Sequence, residues 1–147
     1  MVKNIDRLFS LLPKSSFDEY NLLDIGCGLG ISTNYILKHY KFNSYSGFDI
    51  SNDLLKVAKK INKHLPINFI REDVTNLLLE NKKFVLYMFN PFGFKTLKSF
   101  LDNNIQNLKI NKSIILYAND LYINEINQIY DVEIIRNHFY NLSVIKF

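Results

Sequence analysis

The segment Leu23-Asp24-Ile25-Gly26-Cys27-Gly28-Leu29-Gly30 constrains this chain more than any other. An apolar stretch, Asn21 to Ile25, runs into three glycines at alternate positions, and Ile31 to His39 then resumes as a helix. The order is strand, glycine loop, helix. Without a Cβ, glycine lets the backbone turn sharply and lets a ligand approach it closely. The dinucleotide pattern G-x-G-x-x-G would place its third glycine where Ile31 stands, one residue later than Gly30. The spacing therefore argues against a nicotinamide cofactor.

The same alternation continues along the chain. Ile5, Leu8, Phe9 and Leu12 predict a short amphipathic helix that ends before Pro13. Further strands are predicted at Tyr45–Ile50, Ile67–Ile70, Phe84–Phe89 and Ile114–Tyr117. Helices are predicted around Leu54–Leu65, Val74–Leu79, Leu97–Leu108 and Ile123–Tyr130. Ser51 or Asn52 supplies the cap of the first of these. Continuously apolar strands such as Phe84–Phe89 belong to a parallel sheet covered on both faces. The rhythm breaks at the end, where Val132–Arg136 and Tyr140–Phe147 follow one another across a polar turn, the mark of an antiparallel hairpin. The fold expected is α/β: a doubly wound, mostly parallel seven-strand sheet with a C-terminal antiparallel hairpin and helices on both faces. It uses residues 1–147 as one domain.

Composition agrees with that size. A chain of 147 residues with 48% hydrophobic side chains fills one core. No apolar run approaches the roughly 18 to 20 residues needed to span a bilayer. The start lacks a cationic flank followed by an apolar stretch, so a cytoplasmic location is expected. Cys27 is the one cysteine, which rules out an internal disulfide and a multi-cysteine zinc site. Its place between two glycines reads as a small buried residue. His39, His64 and His138 have no ligand-like spacing, so no metal is expected. A net charge of +4 without a dense basic run points to ordinary solvated lysines.

The loop resembles the first motif, D/E-x-G-x-G-x-G, of the class I, seven-strand S-adenosylmethionine-dependent methyltransferases, and the resemblance extends over essentially the whole chain. In that family the acid and the glycines hold the methionine part of the cofactor, which implies Asp24, Gly26, Gly28 and Gly30 here. Asp49, at the end of the second strand and about 20 residues beyond the glycines, is placed to accept both ribose hydroxyl protons; helix capping is its other reading. Ile50 looks like the apolar residue that packs on adenine. After the third strand, Asp73 rather than Glu72 matches the family's acid that accepts a bond from the adenine amino group.

Tyr87-Met88-Phe89-Asn90-Pro91-Phe92-Gly93-Phe94 ends the fourth strand. It resembles the D/N/S-P-P-aromatic motif of amino-group methyltransferases, in which a side-chain oxygen accepts the target's N–H and a ring packs on the target. Asn90 and Pro91 match, while Phe92 replaces the second proline and Gly93 the aromatic. Asn90 and Phe92 are thus the candidate acceptor-orienting, catalytic residues; a rigid turn built from Pro and Gly is the other reading. Tyr117, Asn119 and Asp120 follow the fifth strand on the same edge.

The resemblance implies a methyltransferase using S-adenosylmethionine on an unidentified acceptor, which is a protein, RNA or small molecule, with the nitrogen of that acceptor oriented by Asn90. The alternative is a cofactor-binding or regulatory subunit that needs a protein partner to complete the substrate site.

Overall fold

A computed structural model describes residues 2–13 and 16–147. The chain runs α1 (Val2–Ser10), β1 (Phe17–Ile25), α2 (Ile31–His39), β2 (Phe42–Asp49), α3 (Asn52–Ile61), β3 (Ile67–Arg71), β4 (Phe84–Phe89), α4 (Phe94–Ile110), β5 (Ile114–Ala118), α5 (Ile123–Ile129), β6 (Glu133–Asn137) and β7 (Leu142–Lys146). Seven strands form one sheet in the order β3-β2-β1-β4-β5-β7-β6. The first five are parallel, and β7 runs antiparallel between β5 and β6. This is the expected seven-strand fold.

Successive residues of a strand point to opposite faces, and the central strands here feed two cores, while Phe69 of β3 packs with Cys27 and with Leu55 and Ala58 of α3. Leu22, Val85, Tyr87, Leu116 and Val144 meet Ile5, Leu8 and Phe9 of α1 and Ile36 of α2 on one face. Leu23, Leu86, Met88, Ile115 and Ile145 meet Leu97, Phe100, Leu101 and Leu108 of α4 and Ile123 and Ile126 of α5 on the other. The continuously apolar reading of β4 and β5 follows from this two-sided burial. Ser51 caps α3, its hydroxyl accepting from the Leu54 N–H at 3.3 Å.

Two expectations are corrected. β1 begins at Phe17 rather than Asn21, because Phe17 and Tyr20 are buried while Asp18 and Glu19 point outward to Lys41 and Lys83. The short helix expected at Val74–Leu79 reduces to a single 3-10 turn at Val74–Asn76. Beyond it the chain is extended, and asparagines of α4 satisfy its backbone. Asn104 accepts from the Leu79 N–H and donates to the Leu77 carbonyl, both at 2.8 Å. Asn103 donates to the Thr75 carbonyl and Asn107 to those of Leu79 and Glu80, each at 2.9 Å. A buried backbone group needs a partner, and here a neighbouring helix replaces the helix's own bonds. Among the described residues no helix is long and apolar enough to cross a membrane.

Candidate functional site

Parallel pairing sets the site. β1 lies between β2 and β4, with Asp24 opposite both Gly47 and Tyr87, so the loops leaving the three strands emerge together at the carboxyl edge. The chain order reverses between β1 and β4, the switch point at which open α/β sheets bind ligands. Gly26, Gly28 and Gly30 all take positive φ, at 74°, 53° and 72°. The Gly26 and Cys27 N–H groups both donate to the Phe48 carbonyl, at 2.8 and 3.0 Å, which ties the loop to the end of β2.

Two clefts flank this loop and meet at Gly26. The first, of about 320 Å3, is lined by Gly26, Asp49, Ile50, Asp73, Pro91 and Phe92. The second, of about 250 Å3, is lined by Asp24, Gly26, Cys27, Ser32, Tyr87 and Phe89. A larger depression of about 580 Å3 lies at the opposite, amino end of the sheet, between α1, the start of β1 and the end of α2. It contains none of the loop residues and is remote from the switch point.

The acids occupy different environments. Asp24 is 2% exposed and accepts from the Thr33 hydroxyl at 2.6 Å. Burial pushes its carboxyl up to about 7 against the lowering effect of the Thr33 bonds, with a smaller upward contribution from Asp49. Asp49 accepts from two backbone N–H groups, Gly28 at 2.9 Å and Ser51 at 2.8 Å. Each carboxylate oxygen retains a further lone pair, so Asp49 both braces the glycine loop and faces the first cleft. Asp73 caps the 3-10 turn, accepting from the Thr75 N–H and hydroxyl at 2.9 and 2.7 Å. Those bonds hold its carboxyl below the usual carboxylate range. Glu72 also lines the first cleft and accepts from the Asp73 N–H at 3.0 Å. Ile50 is 63% exposed, an apolar side chain left open at the cleft. Burial, then the nearby Asp24 and Asp49 charges, push the Cys27 thiol up, which opposes thiolate formation.

The acceptor candidates separate. Asn90 has φ 41°, a left-handed conformation that asparagine tolerates, and its Oδ1 accepts from the Tyr117 hydroxyl at 2.8 Å. Phe92 lies on the wall of the first cleft beside Asp49 and Asp73, whereas Phe89 lines the second. Asn119 is left-handed at φ 53°. Asp120 turns away from the clefts: it is 1% exposed, takes two bonds from the Arg136 guanidinium at 2.9 and 3.0 Å, and accepts from the Ser143 hydroxyl. It staples the loop after β5 to the hairpin. Among the described residues no group of three histidines, cysteines or acids stands where it could hold a metal ion.

Sequence reasoning missed Thr33, Tyr87 and Phe89. A tyrosine within the apolar run of β4 was the available signal, since a buried phenol is normally placed for a polar partner. Thr33 had none beyond its place in the first turn of α2.

Comparison with known proteins adds a sequence and a structural likeness. The profile of a family described as "Methyltransferase domain" matches residues 22–110. The chain is 28% identical over 106 residues to malonyl-[acyl-carrier protein] O-methyltransferase 2 of Ilyobacter polytropus, covering 71% of this chain and 41% of that protein. It is 34% identical over 77 residues to release factor glutamine methyltransferase of Fusobacterium nucleatum, covering 50% of this chain and 22% of that protein. It thus spans less than half the length of either relative. A TehB-like SAM-dependent methyltransferase structure from Corynebacterium glutamicum shares the fold at TM-score 0.65 and 15% identity, over 99% of this chain and 85% of that one.

Proposed function

This chain belongs to the class I S-adenosylmethionine-dependent methyltransferase family, and we propose that it transfers the methyl group of S-adenosylmethionine to an acceptor entering at the carboxyl edge of β1 and β4. One observation carries this reading. The glycine loop divides two clefts of different chemistry, and the cofactor is itself divided into a nucleoside and a zwitterionic amino acid joined through the reactive sulfur.

The first cleft suits the nucleoside. Asp49 accepts from the ribose hydroxyls with lone pairs its backbone bonds leave free, Ile50 and Phe92 pack on the adenine, and Asp73 accepts from its amino group. The second suits the amino acid, with Asp24 opposite the ammonium and the Gly26–Gly30 backbone alongside. The methyl-bearing sulfur then lies near Gly26, where the clefts meet. Methyl transfer is an in-line displacement whose reactivity belongs to the cofactor, so the chain's task is alignment and exclusion of water.

The acceptor side is formed by Asn90, held by Tyr117, and by Phe89 at the edge of the second cleft. The two relatives carry names for oxygen and for glutamine methylation, so similarity alone leaves both chemistries open. A bonded polar turn at the meeting point of the clefts favours an enzyme over a subunit that only binds cofactor. Calorimetry tests the reading: S-adenosylmethionine and S-adenosylhomocysteine bind with one-to-one stoichiometry and NAD does not. Preference for NAD overturns it.

A further inference from the structure

Among the described residues one buried side-chain polar atom lacks a hydrogen-bond partner, the phenolic oxygen of Tyr87. The residue is 1% exposed and stands on β4 directly opposite Asp24 of β1. Paired residues of a sheet project to the same face, so the phenol and the carboxyl enter the same space. Besides burial, the groups that act on the phenolic oxygen are Asp24 and Ser32, and both line the second cleft together with Tyr87. The hydroxyl end of the tyrosine thus reaches that cleft. Ser32 stands beside it, yet no group meets the oxygen in hydrogen-bonding geometry. Burial and the Asp24 charge push the phenol up, so it stays protonated and remains a donor. A buried O–H without an acceptor is costly and rare in a native protein. The cleft is the space from which the missing acceptor can come.

The other walls define what that acceptor is. Ile31 and Ser32, the first residues of α2, line the same cleft. The first N–H groups of a helix have no carbonyl of their own helix to bond, and that end of the helix is positive. Asp24 takes the Thr33 N–H and hydroxyl, while Gly30 at the N-cap makes no side-chain bond to the helix. Among the described residues no lysine, arginine or histidine lines this cleft. It therefore presents, side by side, a carboxyl that attracts a cation and neutral donors that bond an anion. Neighbouring strands lie roughly 4.8 Å apart, so a ligand that satisfies both carries its two charges on neighbouring groups, as an α-amino acid does.

We infer that Tyr87 is a specificity-determining residue of the cofactor site, its hydroxyl donating to the carboxylate of the amino-acid end of S-adenosylmethionine beside the first turn of α2. The inference rests on the methyl-transfer reading above and deepens it. A bond to the ammonium would use a lone pair of the phenol and leave its proton stranded. A bond to the carboxylate uses the proton and leaves the ammonium to Asp24. Tyr87 then selects for an intact amino acid on the cofactor, and a nucleoside thioether without the carboxylate gains nothing from it.

The test is calorimetry of the parent protein and of Tyr87→Phe, which keeps the ring and removes only the hydroxyl. The probes are S-adenosylhomocysteine and its decarboxylated analogue, which keeps the ammonium. Tyr87→Phe should weaken S-adenosylhomocysteine roughly ten-fold, as for a lost bond to a charged group, and leave the analogue within two-fold. Without ligand the variant should melt no lower than the parent, because the hydroxyl it loses has no partner in the free protein. Unchanged S-adenosylhomocysteine affinity, equal weakening of both probes, or a lower melting temperature of the ligand-free variant overturns the inference. Failure of the parent protein to bind S-adenosylhomocysteine would instead overturn the methyl-transfer reading, and it shows before the variant is measured.

Discussion

Gly26 lies against Pro91 so closely that a Cβ added to the glycine would sit 2.4 Å from the Cβ of the proline. One contact thus joins the loop after β1 to the turn after β4, and with them the two halves of the site. It also separates two kinds of glycine in the motif. Gly28 would meet nothing within 4 Å if it gained a Cβ, so its side faces open space.

Gly26→Ala must therefore move the Asn90–Pro91 turn as well as hold an unfavourable positive φ. Its loss of stability should exceed the roughly 1 to 2 kcal/mol that a left-handed alanine costs. Gly28→Ala should lose only about that amount. Urea denaturation of both variants checks the order, and equal losses would mean that the Pro91 contact relaxes freely.

Asp49→Ala should weaken S-adenosylhomocysteine binding by about 1.5 to 3 kcal/mol, roughly ten-fold to more than a hundred-fold, as for lost bonds to a charged group. Phe92→Ala, on the same cleft wall, should also lower cofactor affinity, by removing packing rather than hydrogen bonds. Calorimetry on folded variants decides. Unchanged affinity would remove either residue from the nucleoside cleft.

The raised carboxyl of Asp24 makes cofactor binding depend on pH. In the free protein it is half protonated at about 7, while an ammonium opposite it favours the ionised form. Binding should then release a proton, and affinity should rise as pH increases from roughly 5.5 to 7, by at most about ten-fold per unit. The groups that face Asp24 are Thr33, Cys27, Tyr87 and, through its charge, Asp49. For the fold the sign is opposite: because the folded value lies above the ordinary 3.8, the stability linked to Asp24 is fully present below that value and is lost as pH rises through about 7. Asp24→Asn should flatten both dependences, as read by calorimetry across buffers and by thermal melts across pH.

Arg136→Met should leave the Asp120 carboxylate buried without its bidentate partner. The expected loss is about 2 to 4 kcal/mol, reduced from that of a fully enclosed pair by the partial exposure of the guanidinium. Because Asp120 joins the loop after β5 to the hairpin, a larger effect on stability than on cofactor affinity is expected. The double variant Asp120→Asn, Arg136→Met should recover part of the loss, and an equal or greater loss would argue against an unpaired charge as its cause.

Much of this molecule was legible in its sequence because burial and backbone conformation leave periodic, local traces. Ile31–His39 and Phe84–Phe89 fall where the pattern placed them, and the hairpin showed itself as two strands without a helix between them. The glycine loop and the acids Asp24, Asp49 and Asp73 could be placed on one edge because each lies at or just beyond the end of a strand, and parallel strands bring their carboxyl ends together. What only the tertiary structure decided has no local trace. The 3-10 turn at Val74–Asn76 replaced a helix because asparagines nearly 30 residues further on supply its partners. Asp120 follows β5 on the same edge as the site acids, yet Arg136 and Ser143, from two later strands, enclose it. Phe92, expected beside the acceptor, lies on the wall of the first cleft and Phe89 on that of the second, because the turn after β4 directs them to different sides. The side chain of Asn90 is held by Tyr117, 27 residues away on the next strand. Sequence periodicity reports which face of an element is buried; which donor meets which acceptor is set only when the chain has brought distant elements into contact.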